Sequence, residues 1–552
     1  MSFSTAEKKK GEKKMNKKIT AGIIVTLLLT IGAFYVPLPT KAFEGQIDFG
    51  VIGPVLFIQE VGMREGAEMA KTEINDNGGI TLPAGDWGPA GGYEMVLHYG
   101  DEYMMTPGQA SRDEMARLIE DEGCQFVIGG FRTEATEPMR DEAAAHATDP
   151  AYERPIYIIA GSSTDELIDC GDGTCGACVR CDYDLYQYTF RYTPVNSTIL
   201  FQTILSAAGQ AIVKLNKIYE GATVNTAIVC ETLSWTVAMR AGLSYYLPMY
   251  GANIVYNPDT VDPYASDYTS IITAIKNAHA RLVINVFSSE GGRAFARQCH
   301  PSQLDVNASL IGIDVLGQMS ESWDLPSEDD GLCEYETFLA STGTRTPMTD
   351  AGDDLYGRFG NIGTQAFWDA YVARWGHAPI YTAWGVYDGL IGLAETIENA
   401  ESIDIDAVKT EMESGFERTG LLGKFKFTEY HDVYCNEVGT AWENGYVRAH
   451  MVQWQRTASG AMVVVAPNDQ DFSRRWMIAI TMYSLDGYDI SLDGKVNILD
   501  AIRLAGAFGT RPGDTNWNIE ADIKVNGVIN ILDAISLASK FGKSVTPFPM
   551  AQ

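Results

Sequence analysis

The chain has 552 residues, too many for one hydrophobic core, so a division into two to four domains is expected. Its 72 Asp and Glu against 41 Lys and Arg leave a formal charge of -31, which argues against nucleic-acid binding because phosphate recognition needs clustered cations. Such acidity bears on solubility more than on any particular substrate.

Lysines from Lys8 to Lys18 precede an apolar run, Ala21 to Val36, that is broken by Pro37 and Pro39 ahead of Ala42. This basic, apolar, small-residue order is that of a secretory signal, with Met15 the more natural start and cleavage expected after Ala42. An uncleaved membrane anchor over residues 1–42 is the alternative. Both readings export the protein to the cell surface.

From Gln46 onward, strand-like and helix-like segments alternate. Ile47 to Pro54 reads as a strand and turn, and Met63, Ala67, Ala70 and Ile74 fall at helical spacing before an NDNGG stop. Tyr93 to Asp101 is the next strand and SRDEMARLIEDEG the next helix. Two passages then organise the rest: QFVIGGFRTEATEPM, from Gln125, and RPIYIIAGSSTDEL, from Arg154. In each, a short apolar run, Phe126 to Ile128 or Ile156 to Ile159, ends in glycine and hydroxyl residues and then reads as a helix start. Ser163 and Glu166 have capping-box spacing. Continuous apolar runs suit strands buried in a parallel sheet, whose carboxyl ends point at a ligand, and helix amino termini there suit a carboxylate.

A second set of strands follows: Asn225 to Glu231, Ala252 to Asn257, Arg281 to Phe287 and Ser309 to Asp314, with TSIITAIKNAH a helix among them. The expected fold is therefore α/β, two doubly wound parallel-sheet lobes with a cleft between them. Asn196 and Asn307 lie in glycosylation sequons.

IDFGVIGP with GMREGAEMAKTEINDNGGI, the two loops VIGGFRTEATEPM and IAGSSTDEL, and FWDAYVARWGHAPIYTAWGVYDGLIGLAETIENA together resemble the type I periplasmic solute-binding proteins of ABC importers, in particular the branched-chain amino acid binding group. The resemblance runs from about Gln46 to Pro467. It implies a first lobe over 43–192 and 340–425, a second over 193–339 and 426–467, and a small zwitterionic or amide ligand bound by lobe closure. Thr133 matches the hydroxyl that holds a ligand carboxylate, Ser162 and Thr164 match residues touching its carboxylate and ammonium, and Trp235 matches an aromatic lid. Asp314 matches the acid that pairs the ammonium, and Phe287 or Ser288 a further wall position. The first loop, Gly53 to Gly62, departs from the family, with Phe57, Ile58 and Gln59 in place of its small residues and tyrosine. The implied partners are the solute and an importer permease, and no catalysis is implied.

Nine cysteines are present, four of them in CGDGTCGACVRC at Cys170, Cys175, Cys178 and Cys181. Export favours local disulfides among them, ahead of a zinc site and, last, an iron–sulfur cluster. Cys124, Cys230, Cys299, Cys333 and Cys435 are scattered.

Beyond a linker over 468–485 the chain repeats itself: DISLDGKVNILDAIRLAGAFG begins at Asp489 and DIKVNGVINILDAISLASKFG at Asp522. Oxygen-bearing residues at loop positions one, three, five, nine and twelve, with glycine at six, form a calcium-loop pattern. The first loop supplies Asp489, Ser491, Asp493, the Lys495 carbonyl, Asn497 and Asp500; the second supplies Asp522, Asn526, the Val528 carbonyl, Asn530 and Asp533, with Lys524 in a ligand position. Residues 486–543 resemble a dockerin, which implies calcium-dependent folding and attachment to a cohesin-bearing protein through Ile498, Leu499, Ile531 and Leu532. Core packing of those four is the structural alternative. A ligand-sensing receptor ectodomain and a surface assembly protein with a degenerate cleft are the other functional readings.

Overall fold

The computed structural model describes residues 42–542, apart from 149–153, 172, 174, 194–195, 219–222, 300–302, 305, 307, 320–335, 341–363, 422, 435–448, 456–460, 467–489, 491–495, 512–515, 517–520, 522 and 524–527. Outside the described residues lie the apolar leader, the 468–485 linker, Asn307, Cys333, Cys435, and the loop positions Asp489, Ser491, Asp493, Lys495, Asp522 and Asn526.

Strands β1 (Gly45–Gly53), β2 (Ile80–Leu82), β3 (Gly91–Asp101), β4 (Phe126–Gly129), β5 (Ile156–Ile159) and β6 (Thr189–Arg191) form a six-stranded sheet. Their order is β2-β3-β1-β4-β5-β6, parallel throughout except for β2. Every residue of β4 and β5 is buried, as continuous apolar runs in a covered parallel strand must be. The direction of winding reverses at β1, where β3 lies on one side and β4 on the other, and a crevice opens at the carboxyl ends beside such a switch.

A second sheet takes up β7 (Val224–Cys230), β8 (Ala252–Tyr256), β9 (Leu282–Phe287), β10 (Ser309–Asp314) and β11 (Thr337–Ala340). A separate hairpin, β12 (Glu417–Gly420) and β13 (Gly423–Lys426), precedes β14 (His450–Gln455) and β15 (Ala461–Ala466), which return to this sheet. The resulting order is β15-β14-β11-β10-β9-β7-β8, with β14 and β15 antiparallel and the other pairings parallel.

The Ile58–Asp76 and Tyr381–Asn399 helices pack closely on each other because Gly66 has no side chain: a Cβ there would stand 2.3 Å from the Ala383 carbonyl oxygen. The capping box expected at Ser163 and Glu166 does not form. A single 3-10 turn, Asp165–Leu167, follows Thr164, and the Asp165 amide donates instead to Ser197 Oγ at 3.1 Å. Among the described residues no helix is long and apolar enough to cross a membrane.

Near the carboxyl end, Ile490, Val496, Leu504, Ala507, Ala521, Ile529 and Leu537 form a small core of their own. The 33-residue period reappears as reciprocal bonds, with Gly509 N donating to Ile529 O at 2.7 Å and Gly542 N to Val496 O at 2.8 Å.

Candidate functional site

A cavity lies between the carboxyl ends of the two sheets, with about 620 Å³ of empty space, part of it open to solvent. Phe131, Arg132, Thr133, Gly161, Ser162, Ser163 and Thr164 line it from the first sheet's loops, with Tyr381 beside them. Leu200, Leu233, Trp235, Ser288, Ile313, Val315 and Gln318 line the opposite side.

The first side is polar and braced from behind. Thr133 opens the Thr133–Thr148 helix; its hydroxyl lies 2.5 Å from that of Thr164 and 3.5 Å from that of Ser162. The loop before it turns so tightly that only glycine fits at position 129, where φ is +136° and a Cβ would stand 1.9 Å from the Ile52 carbonyl oxygen. Fully buried Glu102 accepts the Phe131 and Arg132 amides at 2.6 and 3.1 Å, and burial pushes its carboxyl up to about 8. These two N–H groups are therefore occupied within the protein. Arg191, also fully buried, donates to the Thr164 and Ser162 carbonyls at 2.9 and 3.4 Å and pairs with Asp432 at 2.8 Å.

The second side is mostly apolar. Trp235 leads the Ser234–Tyr246 helix, and its indole N–H donates to Glu231 Oε1 at 2.9 Å. The same oxygen accepts the Ser288 hydroxyl at 2.5 Å, while Glu231 Oε2 is buried without a hydrogen-bond partner. Burial pushes the Glu231 carboxyl up to about 7.

Of the residues singled out in the sequence, Thr133, Ser162, Thr164 and Trp235 line the cavity, and so does Ser288. Phe287 and Asp314 do not. They are register partners on β9 and β10, so their side chains share the face opposite the cavity. Phe287 packs there between Tyr268 and Phe295. Asp314, fully buried, accepts the Gly317 amide at 3.0 Å and sits against the Glu290–Cys299 helix. Strand alternation thus turns Ile313 and Val315 inward and Asp314 outward. Arg132, Glu231, Gln318 and Tyr381 were not singled out. Arg132 stands beside Thr133 in the first of the two ligand loops, VIGGFRTEATEPM, yet a lone arginine there looks like surface charge.

Contacts cross directly from one side to the other. Gln59 Nε2 donates to the Ser288 carbonyl at 3.1 Å, Arg132 to the Tyr264 hydroxyl at 3.0 Å, and Ser234 gives its amide and hydroxyl to Glu134 at 2.9 and 2.8 Å. Phe57 of the atypical first loop meets the Tyr264 ring at 6.3 Å.

Elsewhere, the sulfurs of Cys170, Cys175, Cys178 and Cys181 all converge, while Cys124, Cys230 and Cys299 are separate and buried. In the tail, Asn497 and Asn530 cap the Ile498–Gly506 and Ile531–Lys540 helices, with buried Asp500 and Asp533 completing reciprocal capping boxes. The Val528 carbonyl accepts the Asn530 side-chain amide at 2.9 Å. Ile498, Leu499, Ile531 and Leu532 are 61, 49, 61 and 51% exposed, so core packing does not explain them.

A search among curated proteins finds no match to the chain. In fold it is similar to the branched-chain amino acid transporter substrate binding protein LivJ from Streptococcus pneumoniae, solved with isoleucine: 15% identity, TM-score 0.53, covering 76% of this chain and 100% of that one. It is similar too to a solute binding protein of an ABC transporter from Rhodopseudomonas palustris, solved with 3,4-dihydroxy benzoic acid, at 15% identity and TM-score 0.53 over 76% of this chain and 95% of that one. A putative branched-chain amino acid ABC transporter from Silicibacter pomeroyi matches at 18% identity and TM-score 0.55, over 76% and 96%. The family profile named periplasmic binding protein matches residues 52–436, a stretch that contains both sides of the cavity, and the chain belongs to that family.

Proposed function

We propose that the chain is an exported solute-binding protein that presents a small carboxylate to the permease of an ABC importer. The observation that carries this reading is the division of the cavity, with the hydroxyls of Thr133, Ser162 and Thr164 and the Arg132 guanidinium on one side and Trp235, Ile313 and Val315 on the other. A carboxylate gains charge-assisted hydrogen bonds from the first, and an apolar body leaves water against the second. Residues 43–192 with 340–425 hold the ligand, and residues 193–339 with 426–467 close over it. Closure is favoured because only the closed state touches both ends of the solute, and that state is what the permease recognises. The role is binding and involves no catalysis.

An amino acid is the first ligand class, with Glu231 in the part expected of Asp314: its partnerless Oε2 lies behind Trp235 and Ser288, both of which line the cavity. An aromatic carboxylate is the second, favoured because no carboxylate is among the described lining residues. Thermal unfolding of the chain from Phe43 onward, against amino acids, aromatic acids, amides, short peptides and sugars, tests the reading, since a ligand bound only by the folded state raises Tm. A shift with either acid class supports it; shifts confined to sugars or peptides defeat it.

The tail is proposed as a dockerin that folds with calcium and docks a cohesin through Ile498, Leu499, Ile531 and Leu532. Its support is the reciprocal pairing of the two repeats, the exposure of those four residues and the complete burial of the position-twelve carboxylates Asp500 and Asp533, charges that a cation in each loop would balance. Joint replacement Asp489→Ala and Asp522→Ala is expected to abolish the gain of helical circular dichroism on adding calcium. An undiminished gain would count against the assignment.

A further inference from the structure

The insertion after the Ser162–Thr164 loop places four thiols around one point. All four sulfurs lie within 4.8 Å of one another: Cys178 to Cys181 is 2.8 Å, Cys175 to Cys181 3.1 Å, Cys170 to Cys181 3.4 Å and Cys170 to Cys178 3.8 Å. Two disulfides require two separate pairs and give no reason for a fourfold meeting. A single tetrahedral ion does: with metal–sulfur bonds of about 2.3 Å its four sulfurs stand about 3.8 Å apart, a value inside the range found, from 2.8 Å up to the 4.8 Å limit. A cluster of several irons holds its thiolates farther apart than a single ion does.

The backbone is shaped for this convergence. Gly171, Gly173 and Gly176, between the cysteines, have φ of +76°, +72° and +80°, which lets a short loop wrap on itself. In the Cys178–Cys181 turn the Cys181 amide donates to Cys178 Sγ at 3.2 Å, which closes the turn on that sulfur. Fully buried Arg140 then ties this loop to the cavity side. Its guanidinium donates to the Ala177 carbonyl at 2.8 Å and to the Leu167 and Glu166 carbonyls at 3.2 and 3.3 Å, and it projects from the helix that Thr133 begins.

We propose that Cys170, Cys175, Cys178 and Cys181 bind one zinc ion as a tetrathiolate, a structural staple that fixes the insertion behind the Ser162–Thr164 loop. Four thiols give up their protons as the ion binds, and no electron is transferred. Zinc suits the site because soft thiolates in a tetrahedral set select it and a closed four-sulfur shell leaves no position for substrate. The assignment is independent of which solute the cavity takes.

The test is metal analysis of the full chain, purified without chelator, together with alkylation of its cysteines after unfolding in chelator without reductant. About one zinc per chain and alkylation of all four cysteines are expected. Replacement of zinc by cobalt should give the thiolate-to-cobalt absorption of a tetrahedral site. Cys175→Ser, at the exposed corner, should lose the metal while keeping the native circular dichroism. Disulfides linking the four cysteines would overturn the proposal, as would iron in place of zinc, or a reduced protein that takes up neither zinc nor cobalt.

Discussion

Around the cavity, the first sheet's loops present Thr133, Ser162, Thr164 and Arg132, whereas the second sheet's strands and the segments that follow them present Leu233, Trp235, Ile313 and Val315. The two sides are also held differently. Behind the polar loops stand buried polar groups, the Glu102 carboxyl under the Phe131 and Arg132 amides and the Arg191–Asp432 ion pair under the Ser162 and Thr164 carbonyls. On the second side strand alternation turns Ile313 inward, and a buried carboxyl, Glu231, fixes Trp235 and Ser288. A polar site needs its backbone fixed by satisfied buried polar groups, while an apolar wall asks mainly for the correct face of a packed element.

The largest effect should come from breaking the brace. Asp432→Ala strands Arg191 as an unpaired buried charge and is expected to destabilise the fold by about 3–5 kcal/mol in denaturant titration. A loss of under about 1 kcal/mol would mean the pair does not brace the loop. Next come the ligand contacts. Arg132→Ala and Thr133→Ala should each weaken a carboxylate ligand about tenfold or more by calorimetry, against little change in unfolding temperature. Glu231→Gln sharpens the choice of solute: an amino acid should lose about tenfold, and an aromatic acid should be unaffected.

The pH dependence is smaller and has a definite sign. The Glu102 carboxyl is raised from 4.5 to about 8 by burial, so the folded state holds its proton where the unfolded chain has released it. Its contribution is complete below the unfolded value and declines as pH rises, disappearing above about 8. Wild-type Tm should therefore fall between pH 5 and pH 8 more steeply than that of Glu102→Gln, and parallel curves would refute the assignment. The smallest effect is expected at Asp314→Asn, less than about twofold in affinity, since its side chain faces Gly292 and Gly317 and not the cavity.

These contrasts also explain what could be read in the chain alone. Strands β4 and β5 were legible because four consecutive buried residues bounded by glycine leave few other interpretations, and the hydroxyls that follow them inherited their positions. Asp314 was misplaced by one step of alternation: a strand that is apolar on both faces carries no pattern to say which residue of IGID turns inward. Arg191 and Asp432 are 241 positions apart, a separation over which no local periodicity acts. Glu231 gave a faint signal, an acid at a strand end four residues before a tryptophan, but its role depends on Ser288 from another strand. The cysteine loop was visible as composition, and only its folded form brings the sulfurs to one point.

The most direct measurement is calorimetric titration of the wild-type chain with the best carboxylate found in the unfolding panel and with its primary amide. Recognition through Thr133, Ser162, Thr164 and Arg132 predicts that the amide binds at least about tenfold more weakly. Equal affinities would show that the carboxylate does not sit at the hydroxyl end, and would contradict the assignment of the cavity.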